Sequence, residues 1–131
     1  MNISLPPLER ARAVEGLYAT GHWLLQQERF KDAADVFRAM VSVAQEDERG
    51  WVALGMCHEG IEQYEIAREI YGAGCTLAKP AVRCSLALTR VLRKLGRDED
   101  VKEALEMAEG MLESTDDDVA AQLVAEERSF R

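Results

Sequence analysis

Apolar and small residues recur at helical spacings of three and four along most of the chain, and the pattern itself repeats after 34 residues. The repeat is clearest between residues 18 and 71. The residues that match across one period share their type and are Gly21 with Gly55, Phe30 with Tyr64, Ala33 with Ala67, and Phe37 with Tyr71. A small residue in one helix, followed by an aromatic, a small and an aromatic residue in the next, is typical of stacked helix-turn-helix repeats.

This period predicts one all-α solenoid domain over residues 1–131, made of three helix-turn-helix repeats and a C-terminal capping helix. The predicted segments are 1–13 for the N-terminal tail and the start of the first helix, 14–47, 48–81 and 82–115 for the three repeats, and 116–131 for the capping helix. In the third repeat, Thr89 replaces the glycine and Asp98 replaces the aromatic residue. A terminal repeat tolerates such changes because only one of its sides receives another repeat.

The last segment is predicted to be a helix that covers the open end of the stack. Its apolar stripe is expected to consist of Val119, Leu123 and Val124, with Ala120 beside it. A frayed acidic tail is the alternative interpretation. The capping helix is favoured because an uncovered last repeat would leave apolar surface in water.

A second stripe on the first helix of each repeat lies one residue, or about 100°, beyond the packing stripe. It contains Tyr18, His22 and Leu25 in the first repeat, Val52, Met56 and Glu59 in the second, and Leu86, Arg90 and Arg93 in the third. Because the first helices line the hollow side of a curved stack, we expect a groove that is apolar at first and basic in its last third. Such a groove suits an extended peptide, with apolar pockets for its anchors and arginines for carboxylates or backbone carbonyls.

Several of these residues also have a purely structural interpretation. Tyr18 could pack on the N-terminal residues, and Met56 could fill the core. The arginine row, Arg83, Arg90 and Arg93, could be a solvated face paired with acids such as those at 98–100.

Composition and charge restrict the classes of function. The chain is 47% hydrophobic and only 6% aromatic, which favours helices, and its net charge of −8 disfavours nucleic acid as a partner. Cys57, Cys75 and Cys84 lack the spacing of metal ligands, so reduced thiols without a metal or cofactor are expected. No apolar run is long enough to span a bilayer, and no signal-peptide pattern is present, so we expect a cytoplasmic protein without membrane insertion.

Motifs of catalysis are missing from the sequence. It contains no GxSxG, P-loop, HExxH or glycine-rich phosphate loop, and its paired acids have the spacing of solvated helix faces. We therefore predict that the protein is not an enzyme.

The repeats match the tetratricopeptide type, and their residues resemble the class II chaperones of bacterial type III secretion. The resemblance rests on Glu28-Arg29-Phe30-Lys31-Asp32-Ala33, Trp51-Val52-Ala53-Leu54-Gly55-Met56-Cys57, Gln63-Tyr64 with Ala67, and Tyr71-Gly72-Ala73-Gly74. It covers about residues 17–112. The Phe/Tyr-x-x-Ala blocks, the Leu-Gly-x-Cys segment and the Tyr-x-x-Gly ending are more specific together than any single repeat motif.

The resemblance implies a cytoplasmic, non-catalytic chaperone that needs no cofactor. It would hold an extended N-terminal segment of a secreted, membrane-inserting translocator in its groove, and it allows for a homodimer. Tyr18 matches a groove aromatic of that family, whereas His22 and Leu25 stand where aromatic residues are usual. The alternative is a general tetratricopeptide adaptor or regulatory subunit that is not tied to secretion.

Overall fold

The computed structural model describes residues 5–130, which form seven α-helices and no strand. The helices are α1 (Pro7–Gln26), α2 (Phe30–Val43), α3 (Glu48–Gly60), α4 (Tyr64–Leu77), α5 (Val82–Lys94), α6 (Asp98–Leu112) and α7 (Asp118–Ser129). Residues 1–4 of the predicted N-terminal tail, and residue 131, lie outside the described residues. None of the helices in the described part is long and apolar enough to cross a bilayer.

The helices pack as three consecutive antiparallel pairs, α1 with α2, α3 with α4 and α5 with α6. Each pair contacts the next through α2 on α3 and α4 on α5, and the first helices also contact one another in the order α1, α3, α5. The final helix, α7, packs on α5 and α6. The predicted all-α stack of three helix-turn-helix repeats with a C-terminal capping helix is thus confirmed.

Glycines in the first helix of each of the first two pairs let the second helix approach closely. A Cβ atom on Gly21 would lie 2.6 Å from Cζ of Phe37, and a Cβ atom on Gly55 would overlap the ring of Tyr71. Phe37 and Tyr71 are fully buried. The small and aromatic residues that define the sequence period are therefore packing partners. They recur because the two helices pack in the same way in each of the first two pairs.

The turn inside each pair has the same backbone conformation. Glu28, Glu62 and Gly96 occupy the left-handed region, with φ of 57°, 60° and 71°. In each case the following residue donates its N–H to a carbonyl five residues earlier, as in Arg29 to Leu24 at 3.0 Å. This is the Schellman arrangement of a helix C-terminus, for which glycine is the preferred residue. Only the third repeat has glycine there.

One carboxylate joins the second helix pair to the third. The N-terminus of α5 follows Ala81, which has no side-chain acceptor. Glu48 supplies one from α3, since its Oε2 accepts the backbone N–H groups of Arg83 at 3.1 Å and Cys84 at 3.3 Å. Burial raises the pKa of Glu48, although these bonds and the Arg83 guanidinium oppose that rise.

The buried stripe of α7 differs from the prediction by one position. Ala120 and Val124 are buried, Leu123 is partly buried, and Glu127 continues the same face, whereas Val119 is 62% exposed. Asp117 caps the helix by accepting the N–H of Ala120 at 2.9 Å. Ala120 packs in one cluster with Val82, Leu86, Ala108 and Val124.

Candidate functional site

The nine residues of the predicted second stripe line two adjoining cavities on the side of the stack formed by the first helices. The first cavity, of about 210 Å³, includes Tyr18, His22, Leu25, Val52 and Met56. The second, of about 620 Å³, includes Val52, Met56, Glu59, Leu86, Arg90 and Arg93. Both cavities are lined by Val52, Met56 and Arg83, so they adjoin along these residues, and together they are called the groove below.

Tyr18 lines the first cavity, and three side chains lie against its ring. The ring centroid lies 6.4 Å from that of Phe37 and 5.9 Å from that of His22. The Arg49 guanidinium stacks on the ring, with Cζ 4.6 Å from the centroid. Tyr18 is thus both a packing residue and a wall of the groove.

Arg49 is itself fixed by two acids. Its Nη2 lies 2.7 Å from Oε1 of Glu15 and 2.8 Å from Oδ2 of Asp47. These hydrogen bonds raise the pKa of Arg49 and lower the pKa of both carboxyl groups. The guanidinium is consequently satisfied within the protein, and it positions Tyr18 more than it offers a charge to a ligand.

Arg49 was not among the predicted groove residues, although the sequence contains a signal for it. Arg49 and Arg83 stand in the same register of the second and third repeats, and only Arg83 was considered.

The middle of the groove is apolar. Met56 is 47% exposed, and Val52 lies one helical turn before it, partly buried. The alternative that Met56 fills the core does not fit this exposure. A flexible thioether that lies open on a concave surface is suited to contact with varied side chains.

The second cavity has a floor and two walls. The floor is α5, with Leu86 and Ala87, and Leu86 is only 2% exposed. One wall is α3, with Val52, Met56 and Glu59, and the other is α7 with the residue that follows it, comprising Leu123, Glu127 and Phe130. No contact joins α3 to α7 across the described residues, so the space between them is open. The part played by α7 was not predicted.

The cationic side chains of the second cavity are paired with carboxylates of the same chain. Arg93 bonds to Oε1 of Glu127, and Arg90 Nε lies 3.2 Å from Oε2 of the same carboxylate. Arg83 lies 2.8 Å from Asp117 and 3.8 Å from Glu48, and Lys94 lies 2.9 Å from Glu59. The partners of Arg83, Arg90 and Arg93 thus come mainly from α7 and its cap, and not from the acids at 98–100 considered above.

Glu59 has a structural role at the edge of this cavity. Its carboxylate accepts a hydrogen bond from the buried Tyr71 hydroxyl as well as from Lys94. Burial and the nearby Glu59 both raise the pKa of Tyr71, and the hydrogen bond raises the pKa of Lys94. Glu59 therefore ties the second repeat to the third across the groove.

The thiols do not contribute a reactive group to this surface. Cys57 and Cys84 are buried, and Cys75 is partly buried. Burial raises the pKa of Cys57 to about 11 and also raises those of Cys75 and Cys84. Thiolates are the nucleophilic form, so these cysteines behave as core residues.

The groove therefore combines apolar walls with charges that are neutralised internally, on a stack of tetratricopeptide-like helix pairs closed by a C-terminal helix. The solved structures that share this fold include translocator chaperones of type III secretion. SycD of Yersinia enterocolitica, in complex with a peptide of the translocator YopD, is 23% identical with a TM-score of 0.75, covering 88% of this chain and 86% of that chain. PcrH from Pseudomonas aeruginosa is 22% identical with a TM-score of 0.78, covering 98% of this chain and 93% of that chain.

A further structure shows PcrH with the chaperone binding region of PopB. It is 21% identical with a TM-score of 0.78, and the match covers 96% of this chain and 97% of that chain. No family model matches the sequence, and no curated protein sequence matches it. The chain shares its fold with the type III secretion translocator chaperones, so the resemblance noted in the sequence holds at the level of fold.

Proposed function

We propose that the protein is a cytoplasmic, non-catalytic chaperone of a type III secretion system. It binds an extended segment of a translocator protein in the groove and keeps that client soluble and competent for export. The client is a protein, not a nucleic acid, because the chain carries a net charge of −8. The 1–131 tetratricopeptide domain acts as the whole binding unit, with the three repeats at 14–47, 48–81 and 82–115, and it can function as a monomer or a homodimer.

One observation carries this proposal: the two cavities adjoin at Val52 and Met56, and their surface is mainly apolar. An extended segment presents side chains at intervals along its length, so it can place one anchor in each cavity. The solved relatives support the choice of client, since SycD holds a peptide of YopD and PcrH holds the chaperone binding regions of PopD and PopB.

A chaperone role follows from what the groove would cover. Apolar segments of a membrane-inserting protein aggregate in water because their exposed surface is hydrophobic. A groove with exposed Met56 and partly buried Val52 and Leu25 removes part of that surface from water.

Co-expression tests the proposal directly. A translocator subunit from the organism that carries this chain should be insoluble when expressed alone and soluble in a complex with the chain. The variant Tyr18→Ala with Met56→Glu should leave the translocator insoluble while remaining folded by circular dichroism. A translocator that stays insoluble with the wild-type chain, or that is solubilised equally by the variant, would refute the assignment.

A further inference from the structure

A cavity separate from the groove lies on the side of the stack formed by the second helices. It has a volume of about 280 Å³, and it shares no lining residue with either cavity of the groove. We call it the outer cavity. Its lining includes Arg68 of α4, Leu92 of α5, and Asp100, Glu103, Ala104 and Met107 of α6.

The bottom of the outer cavity is apolar, and its rim is open to water. Leu92 and Ala104 are buried, whereas Met107 is 38% exposed although its side chain lines the cavity. The stack therefore leaves a flexible thioether uncovered at the rim. A second protein that packs on Met107 would remove this apolar surface from water.

The carboxylates at the rim are available to a partner. Asp100 and Glu103 are exposed, and they form no salt bridge with any residue in the range 5–130. Arg68, the cation in this lining, is already paired with Glu65 at 2.9 Å and lies 3.8 Å from Glu69. The outer cavity thus differs from the second cavity of the groove, in which the cations are paired with carboxylates of the same chain.

The acids continue along the exposed face of α6. Glu99, Glu103 and Glu106 follow one another at spacings of four and three, so they lie on one face of the helix. Like charges at these spacings destabilise a helix, and Lys102 is the one cation within α6. The acids at 98–100 favour the helix dipole, but Glu103 and Glu106 lie beyond the first turn. A cationic partner would relieve the repulsion along this face.

Gly110 leaves room for a close approach on the same face. It stands four residues after Glu106 in the last turn of α6, and its φ is not positive, so it is not a left-handed helix terminus. A Cβ atom on Gly110 would meet nothing within 4 Å, in contrast to Gly21 and Gly55. Contacts within the chain therefore do not explain a residue that is unfavourable in a helix. The missing side chain lets a second backbone come close to α6.

We propose that the outer cavity and the acidic face of α6 dock a basic amphipathic helix of a protein other than the client. A helix repeats its lysines or arginines at the same spacing at which α6 repeats its acids. One of these side chains would place its aliphatic stem on Met107 and its charged head at Asp100 and Glu103. The apolar face of the helix would cover Met107 and pass over Gly110.

This docking surface goes beyond the proposed function. The partner helix contacts α4 and α6, whereas the client segment contacts the first helices and α7. Because the two surfaces share no residue, both partners can bind at once. The docking surface does not depend on which client lies in the groove.

Binding of a designed helix tests the proposal. The probe is a fluorescein-labelled peptide of about 18 residues in which lysine and leucine recur at helical spacing. Its control is a scrambled peptide with the same residues in an order that gives no amphipathic face. By fluorescence anisotropy, the wild-type chain should bind the probe about tenfold more tightly than the scrambled peptide, and added salt should weaken this binding.

Charge variants locate the binding site. Asp100→Asn with Glu103→Gln should weaken the Kd of the probe about fivefold. Asp118→Asn with Glu126→Gln is the matched control, because it removes the same charge from exposed acids of α7 that lie outside the outer cavity. It should change the Kd less than about twofold. Circular dichroism checks that each variant keeps the helical content of the wild type.

Apolar variants test the contact at the rim. Met107→Ala should weaken the Kd of the probe about threefold. Leu77→Ala is the matched control, because Leu77 is exposed to the same degree on α4 and lies outside the outer cavity. It should bind the probe as the wild type does.

Three results would overturn the proposal. One is binding of the probe that is no tighter than binding of the scrambled peptide. The second is an equal loss in the two pairs of charge variants, which would show attraction to the net charge of −8 and not to the outer cavity. The third is a larger loss in Met56→Ala than in Met107→Ala, which would place the probe in the groove.

Discussion

The two halves of the groove use equivalent residues of neighbouring repeats in different ways. In the first half, Arg49 stacks on Tyr18 and is held by Glu15 of α1 and by Asp47, which precedes α3. In the second half, Arg83 stands in the same register but pairs with Asp117 at the start of α7. The first half is therefore built by the repeats alone, whereas the second half depends on the C-terminal helix. Arg49 and Arg83 thus occupy equivalent positions in two repeats, but each pairs with different residues because a different element packs beside it.

The largest expected effect is loss of client binding when the first half is disrupted. Tyr18→Ala removes the ring that Arg49 and Phe37 enclose, and Met56→Glu places a charge at the apolar junction of the two halves. Together they should weaken binding of a translocator segment more than about 100-fold in titration calorimetry. Met107→Glu is the control, because Met107 is 38% exposed on α6 and lies outside both halves of the groove. Equal losses in both proteins would contradict the account.

The second expected effect is specific to the half that depends on α7. Glu127→Ala leaves Arg90 and Arg93 without their shared carboxylate. We expect the free energy of unfolding to fall by about 2 kcal/mol in urea titrations, since partly buried charges lose their partner. Glu126→Ala removes an exposed carboxylate from the same helix and should change stability by less than about 0.5 kcal/mol. If both variants are equally stable, Glu127 does not anchor α7.

The third expected effect concerns the turns, in which all the repeats are alike. Glu28 and Glu62 adopt the left-handed conformation that Gly96 adopts in the third repeat. Glu28→Gly and Glu62→Gly should each stabilise the fold by about 1 kcal/mol, because relief of the backbone strain exceeds the entropy cost of glycine. Gly96→Ala should destabilise it by a similar amount. Thermal unfolding measures all three variants, and lower stability of both glycine variants would show that the turns differ.

The smallest expected effect is a pH dependence at the junction of the second and third repeats. The pKa of Glu48 is raised in the folded state, so the folded protein takes up this proton at a higher pH than the unfolded chain does. The stability of the wild type relative to Glu48→Gln should therefore increase as the pH falls from 7 toward the ordinary value of 4.5. Thermal unfolding of both proteins across this range provides the comparison. A difference that stays constant or decreases would contradict the shifted pKa.

Lowering the pH should have the opposite effect on stability at carboxylates that pair with arginines. Salt bridges and hydrogen bonds lower the pKa of Asp47 in the first half of the groove and of Asp117 in the second. Their contribution to stability is present above the ordinary aspartate value of 3.8 and is lost as the pH falls below it. Because the two changes in stability have opposite signs, the stabilisation by Glu48 above about pH 4.5 can be distinguished from general acid unfolding at lower pH.

Much of the fold could be predicted because the residues that build it repeat. Gly21 with Phe37 and Gly55 with Tyr71 are contacts within a helix pair, so they recur at a fixed sequence separation. The lining of the groove followed from the same register, because a helix places residues one position apart about 100° around its axis.

The contribution of α7 is harder to derive in this way. Its contacts join Glu127 to Arg90 and Arg93, which are 37 and 34 residues earlier. Glu127 stands one period after Arg93 and two after Glu59, so the period places it on the face of α7 that corresponds to the groove stripe, but the period does not specify which side chains pair across that face. Ala120 is buried and Val119 is exposed, although hydrophobicity alone favours valine for the buried position.

The central claim is that a client segment lies in the groove across Met56, and site-specific photocrosslinking tests it most directly. A photoreactive amino acid would be placed at position 56 in one protein and at position 107 in another, and each would be irradiated in complex with a translocator subunit. We predict crosslinks to the client from position 56 and none from position 107. Crosslinks from position 107, without any from position 56, would place the client on the opposite side of the stack and contradict the account.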